Sequence, residues 1–155
     1  MQRLLLAPLV AACLVLAAVP VLNAQGGTYD DNALRVEGQR GDFRIVRGTE
    51  GTVVGKIGVF RGVDVTKLVA SSEKATIEAK RFVRDYRPGV LLLSLGIATL
   101  GAGIGVSAIH DINRGITTGL MLAGTGLIVY GAGRLEDAYN ALSRSIWWYN
   151  RDLEH

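Results

Sequence analysis

The spacing of apolar residues changes character several times along the chain. Leu4–Leu22 is a near-continuous apolar run behind Arg3. Residues 25–35 (QGGTYDDNALR) are polar and predict a flexible lead-in. From Val36 to Val65, short β-type runs are broken by glycine. They are Phe43-Arg44-Ile45-Val46, Thr52-Val53-Val54 and Ile57-Gly58-Val59-Phe60, with breaks at Gly48, Gly51, Gly55 and Gly62. Period-two runs between glycines predict a small β element over 36–65, too short to bury a core alone. Asp64 and Ser72 are expected helix N-caps. Beyond Ser72, the residues Ala75, Ala79, Phe82 and Tyr86 recur at i, i+4, i+7 and i+11. That spacing puts one apolar stripe on an amphipathic helix within 66–87. Pro88-Gly89 is expected to break or kink it.

Residues 89–109 and 115–133 carry no charge and are each long enough for a bilayer helix. The sequence therefore predicts transmembrane helix 1 over 88–109, a short loop at 110–114 and transmembrane helix 2 over 115–133. So short a connection makes the pair an antiparallel hairpin. Eleven of the 20 glycines fall between 89 and 133. Gly101/Gly105 and Gly115/Gly119 have GxxxG spacing, and Gly96, Gly124, Gly126 and Gly131 extend the small faces. In lipid, small residues let helix backbones approach closely, so these eight are the candidate helix-packing residues. After Gly133 the chain is polar but keeps a stripe at Leu135, Ala138, Tyr139, Leu142, Ile146, Tyr149 and Leu153, with no further Gly or Pro. Helix 2 is thus expected to run unbroken into an amphipathic C-terminal helix over 134–155. A hairpin turning near 112–113 sets Tyr86 against Tyr139 and Phe82 against Leu142, forming a stalk beyond the membrane. It also brings Arg84 and Arg87 near Glu136 and Asp137. The expected fold class is a mainly α membrane protein, an antiparallel two-helix transmembrane hairpin with helical extensions and a small N-terminal β element.

The N-terminal run then decides the compartment. Arg3, the apolar core and Leu22-Asn23-Ala24 read as a secretory signal over 1–24, cleaved before Gln25. A lipobox at Val10-Ala11-Ala12-Cys13 and an uncleaved anchor are the alternatives. Cys13 is the single cysteine, so a cleaved chain has no disulfide or thiolate chemistry. A cleaved signal places the N- and C-terminal parts in the periplasm of a bacterial cell envelope, with the hairpin in the inner membrane. The positive-inside rule prefers the reverse: Lys74, Lys80, Arg81, Arg84, Arg87, Arg134, Arg144 and Arg151 flank the outer ends, against Arg114 at the tip. The complete signal pattern decides in favour of the exported orientation.

Composition and charge add mainly exclusions. The formal net charge is +3 with acidic residues interspersed throughout, so no nucleic-acid partner is indicated. Gly101-Ala102-Gly103-Ile104-Gly105 lacks the spacing, the preceding strand and the following acidic residue of a dinucleotide loop. His110 and His155 are the only histidines. Neither a serine triad nor a metal set can be assembled, and neither span holds a charge that would mark an ion path. No catalytic residue, cofactor or metal is expected. The bilayer is the expected partner, with a homo-oligomer or an envelope protein as the possible second.

The most distinctive stretch is Ser145-Ile146-Trp147-Trp148-Tyr149-Asn150-Arg151. Trp147 lies 14 residues past Gly133, about 20 Å along a straight helix and too far for an interfacial belt. Three readings remain: the helix folds back onto the bilayer, the aromatics cover the β element, or they meet a partner. Ile146 and Tyr149 share the stalk stripe, so at least one indole must face elsewhere. One is expected to bury against the β element, leaving the other with Asn150 and Arg151 as a candidate interaction surface formed from Trp147, Trp148, Asn150 and Arg151.

On these residues the chain resembles a group of small bacterial envelope proteins with a Gly-rich two-span hairpin and a closing A-I/V-x-x-Y-N helix. Here the motif reads Ser145-Ile146-Trp147-Trp148-Tyr149-Asn150, with Ser where Ala is usual. The resemblance covers about residues 43–151 and implies no activity. The hairpin alone is similar to glycine-zipper two-span segments. Two functions follow as expectations: a non-enzymatic envelope scaffold that assembles through Gly-rich helix packing, or a binding module using the β element and the Trp-rich helix.

Overall fold

The computed structural model describes residues 26–39, 42–58, 62–107 and 114–155. The signal segment with Cys13, the run through Val59-Phe60 and most of the expected tip (110–113) lie outside the described residues. Seven elements follow in order: α1 (Gly26–Asn32), β1 (Leu34–Gln39), β2 (Asp42–Arg47), β3 (Thr52–Ile57), α2 (Val65–Leu68), α3 (Glu73–Ser107) and α4 (Arg114–Leu153). The protein is mostly helical, with two long apolar helices and a small three-stranded sheet.

The strands form an antiparallel meander in the order β1-β2-β3. β1 and β2 pair from Leu34↔Arg47 to Gln39↔Asp42, and a bulge between Ile45 and Val46 shifts the β2/β3 register. The alternation in Phe43–Val46 does mark a strand, but β3 fuses Thr52-Val53-Val54 and Ile57 into one strand through Gly55. Both Gly48 and Gly51 in the β2–β3 turn have φ of +71°. A side chain at Gly48 would also meet the Asp31 carbonyl at 2.8 Å.

The lead-in carries secondary structure from Gly26 onward. Residues 26–32 form α1, and β1 begins at Leu34. No local hydrophobic period signals either element, because their hydrogen bonds are long-range: Gly48 N–H donates to Ala33 O and Thr49 N–H to Asp30 O, each at 2.9 Å. Tertiary contacts override the polar composition.

Both expected N-caps are in place. Asp64 accepts from Thr66 N–H at 3.1 Å, and Ser72 Oγ accepts from Ala75 N–H at 3.2 Å. They start two separate helices, the short α2 and the long α3, as the two caps lead one to expect. α3 then runs 35 residues through Pro88 without ending there. Proline costs a helix one N–H bond and crowds the preceding turn. Here α4 lies alongside both turns and holds them, so the proline neither ends the helix nor divides stalk from apolar segment. α4 likewise runs 40 residues without a break, as expected from the absence of Gly and Pro after Gly133.

One core joins the sheet to the helix pair. Leu34 and Ile45 from the sheet and Val65 and Val69 around α2 pack with Ala75, Ala79, Phe82 and Tyr86 of α3 and with Ala138, Ala141, Leu142, Ile146 and Tyr149 of α4. Both expected stripes are thus the buried ones. The register also holds, since the Tyr86 and Tyr139 rings meet edge-on at 6.0 Å. Phe43 reaches Tyr139 at 5.3 Å, so the sheet leans on the stalk through this pair. The apolar halves of the helices differ. Only 17% of the most apolar stretch of α3 and 11% of that of α4 is buried.

Candidate functional site

The apolar hairpin is held by glycines spaced by seven. A Cβ on Gly96 would lie 2.7 Å from Ile128 N and 2.9 Å from Gly124 O. One on Gly124 would lie 2.6 Å from Leu100 N, and one on Gly131 2.6 Å from Leu93 N. Gly89 and Gly103 pack against Leu135 and Leu120 with similar closeness, 3.1 and 3.2 Å. Gly89, Gly96 and Gly103 therefore form one seam and Gly124 and Gly131 the other. Both seams continue at the same spacing into buried stalk residues, Ala75 and Phe82 on α3 and Ala138 and Ser145 on α4. A strict seven-residue period keeps a contact seam facing its partner along the whole helix.

The GxxxG pairs do not build this interface. At Gly101, Gly105, Gly119 and Gly126 an added Cβ would meet nothing within 4 Å. Gly115 is exposed in the first turn of α4. Gly101 is about 200° from Gly103 around the helix, so the two cannot share a face. Of the eight expected packing residues, Gly96, Gly124 and Gly131 make the helix-to-helix contact. Gly89 and Gly103 do so as well, and their spacing of seven from Gly96 is the signal that could have found them.

Above the apolar segment an ionic staple crosses the pair. Asp85 is buried and accepts from Arg84 Nη2 at 2.8 Å and from Arg134 Nη1 at 2.6 Å, while Arg134 Nη2 also donates to the Tyr130 hydroxyl at 3.0 Å. Higher on the stalk Glu78 pairs with Arg81 and Arg144 at 2.9 and 3.1 Å. Arg84 stands near Asp137, whose charge acts on it, as the register leads one to expect, but its hydrogen bonds go to the buried Asp85. The Arg84 and Arg134 guanidiniums hold the Asp85 carboxyl below its ordinary value of 3.8 despite the opposing effect of burial. A depressed folded value stabilises the fold above the ordinary carboxylate range and loses that contribution as pH falls through it. The thermal advantage of wild type over Asp85→Asn should accordingly be full above about pH 5 and vanish in acid. Equal midpoints for the two proteins at pH 7, read by circular dichroism, would refute this role.

The C-terminal motif divides cleanly. Ser145 is fully buried and its Oγ donates to Ala75 O at 2.9 Å, where a larger residue would part the helices. Ile146 and Tyr149 lie in the core. Asn150 is a clamp: its Oδ1 accepts from Leu34 N–H and its Nδ2 donates to Leu34 O, both at 2.8 Å. The amide thus pairs with the outer edge of β1 as another strand would. Ser72 bonds Asp152 at the same end of the stalk. Ser145, Ile146, Tyr149 and Asn150 are therefore turned inward, Trp148 is half-buried against the core, and Trp147 is turned out.

Neither indole is buried under the sheet. Trp147 is 55% exposed and meets Trp148 edge-on at 4.7 Å. Trp148 is half-buried beneath two cations, Arg151 at 4.1 Å and Lys74 Nζ at 4.5 Å from its ring centre. The sheet has no need of an indole, since Tyr139 and Asn150 already hold it. Asn150 is accordingly not part of an exposed surface, whereas Trp147, Trp148 and Arg151 form a cation–aromatic cluster at the end of the stalk. Among the described residues, no group of three or more His, Cys, Asp or Glu side chains could hold a metal ion.

Comparison of the chain with protein-family models, curated proteins and solved structures finds no match.

Proposed function

We propose that the protein is a non-enzymatic scaffold of the bacterial cell envelope. In this reading its hairpin is embedded in the inner membrane, its stalk and sheet stand in the periplasm, and copies assemble through the outer glycine faces. The observation that carries the reading is the exposure of the apolar hairpin. Leu91, Leu95, Ile97, Ile104, Ile116, Leu122 and Val129 are all more than half exposed, with Leu122 at 70%. Residues 89–109 and 115–133 carry no charge, and both helices are long and apolar enough to cross a bilayer. Water would meet an apolar band far larger than soluble monomers carry, whereas lipid covers it at no cost.

The second glycine set supports assembly. Gly101 and Gly105 share an exposed face of α3 with Ser94 and Ala98, while Gly119, Gly126 and Gly133 recur every seven residues on the outer side of α4. Glycine disfavours a helix by about 1 kcal/mol relative to alanine, and among the described residues no contact offsets that here. A helix from a second copy would, through close backbone approach.

The test is the double variant Gly101→Leu/Gly119→Leu in lipid nanodiscs or mild detergent. Oligomers detected by cross-linking or light scattering should fall to monomers while the thermal midpoint stays within a few degrees. Oligomers that persist, or a wild-type chain that is monomeric throughout, would refute assembly through these faces. Trp147, exposed beside Arg151, keeps a binding module as the second reading. It gains if Trp147→Ala removes function and the glycine variants do not.

A further inference from the structure

A cleft of about 390 Å³ opens between the end of β3, the chain leading into α2 and one face of α3. Its walls include Ile57, Val63, Phe82 and Val83, and its charged groups are Lys80, Arg87 and Asp64. That volume and an apolar wall with few polar groups are usual for a small-molecule site. Lys80, Val83 and Arg87 stand at i, i+3 and i+7, one stripe of the helix, and the stripe continues into the uncharged segment as the exposed Leu91 and Leu95. Of the other stalk bases, Arg81, Arg84, Arg134 and Arg144 each bridge to a carboxylate, and Lys74 and Arg151 lie over the Trp148 ring. Lys80 and Arg87 form no ion pair among the described residues. Asp64 faces them already held by Thr66, whose N–H and hydroxyl both donate to it, and by the Lys67 ammonium at 3.9 Å.

The height of the cleft limits what can fill it. Arg87 precedes Gly89 by two residues, about 3 Å along the axis, and Lys80 stands about 10 Å further out. A headgroup layer is roughly 5–8 Å deep on each side of the hydrocarbon core. If the hairpin spans a bilayer as proposed above, Arg87 lies in that layer and Lys80, about 13 Å from Gly89, stands beyond its outer margin, above the headgroup it faces across the cleft.

We infer that this cleft binds the headgroup of an anionic phospholipid, the phosphodiester at Arg87 and Lys80, the acyl chains along Leu91 and Leu95. The inference rests on the membrane reading. Among the described lining residues Lys80 and Arg87 have no carboxylate partner, so a net-anionic lipid supplies the charge they lack, and the Asp64 carboxylate can accept a bond from a headgroup hydroxyl. Phosphatidylglycerol has both properties, and phosphatidylcholine has neither.

The experiment uses the full chain, first in flotation with pure phosphatidylcholine vesicles. It is then placed in nanodiscs of phosphatidylcholine with phosphatidylglycerol at three to one, and lipids retained on release are read by native mass spectrometry. Wild type is expected to float and to retain one phosphatidylglycerol per chain. Lys80→Gln/Arg87→Gln should float equally and keep its thermal midpoint, yet lose that preference about tenfold or more. Lys56→Gln, a base outside the cleft, should retain the lipid as wild type does. Equal retention by wild type and the double variant, or equal loss in Lys56→Gln, would overturn the site. Displacement of the lipid by millimolar inorganic phosphate would overturn it as well, in favour of a free phosphate ligand. A chain that floats without lipid preference refutes the cleft alone; one that does not float refutes the membrane reading and the cleft together.

Discussion

Leucine at Gly96 is expected to destroy the hairpin, at a cost of 3 kcal/mol or more, on the order of the upper range for overpacked sites. The clash begins at Cβ, 2.7 Å from Ile128 N and 2.9 Å from Gly124 O, so no rotamer of any side chain relieves it. The atoms met are backbone and cannot turn aside. The helices must therefore part, and the seam that continues to Gly89 and Gly103 opens with them. Even Gly96→Ala should destabilise, although alanine favours a helix by about 1 kcal/mol. Gly101→Ala is the matched control, because its new methyl would meet nothing within 4 Å of the same chain. Thermal or denaturant unfolding in detergent should place Gly96→Ala below wild type and Gly101→Ala at or above it. The reverse order would mean that the helices do not meet along the spacing-of-seven seam.

Asn150→Ala should cost about 2–4 kcal/mol and release the first strand. Two bonds of 2.8 Å disappear, and they leave both the N–H and the C=O of Leu34 without partners beside a side chain that is 2% exposed. An unsatisfied buried polar group costs about 1–3 kcal/mol, which is more than the bond itself contributes. Asn150→Asp separates the two halves of the clamp, since a carboxylate can accept from Leu34 N–H but cannot donate to its carbonyl. Amide hydrogen exchange reads the effect directly. The Leu34 amide should exchange far faster in Asn150→Ala, while amides in the middle of α3 keep their protection. Unchanged protection at Leu34 would show that β1 is held by other means.

These two sites differ in how far they can be read from the chain. The stripes Ala75-Ala79-Phe82-Tyr86 and Leu135-Ala138-Tyr139-Leu142-Ile146-Tyr149 are legible because a helix with one buried side repeats its apolar residues with its own period. The glycines are not legible in the same way. Each apolar helix carries small residues on opposite faces, and spacing of four selects Gly101/Gly105 as readily as spacing of seven selects Gly89/Gly96/Gly103. Which face turns inward depends on the phase inherited from the stalk, where Phe82 and Ser145 are already committed to the core. Pro88 misleads for a related reason: its cost is local, and the packing that outweighs it comes from α4.

What the sequence determines by itself is whatever depends on near neighbours. The apolar lengths of both helices, the caps at Asp64 and Ser72, the strand at Phe43–Val46, the unbroken run of α4 and the pairing of Tyr86 with Tyr139 all follow from spacing and from the one short connection. What only the tertiary structure decides depends on contacts between residues far apart. α1 and β1 exist because Asp30, Ala33 and Leu34 find partners in the β2–β3 turn and in Asn150, 116 residues from Leu34. Tyr149 and Asn150 accordingly hold the fold, while of the two tryptophans before them only Trp147 turns outward. A backbone group on a strand edge accepts any well-placed amide, and its own sequence carries no mark of which one arrives.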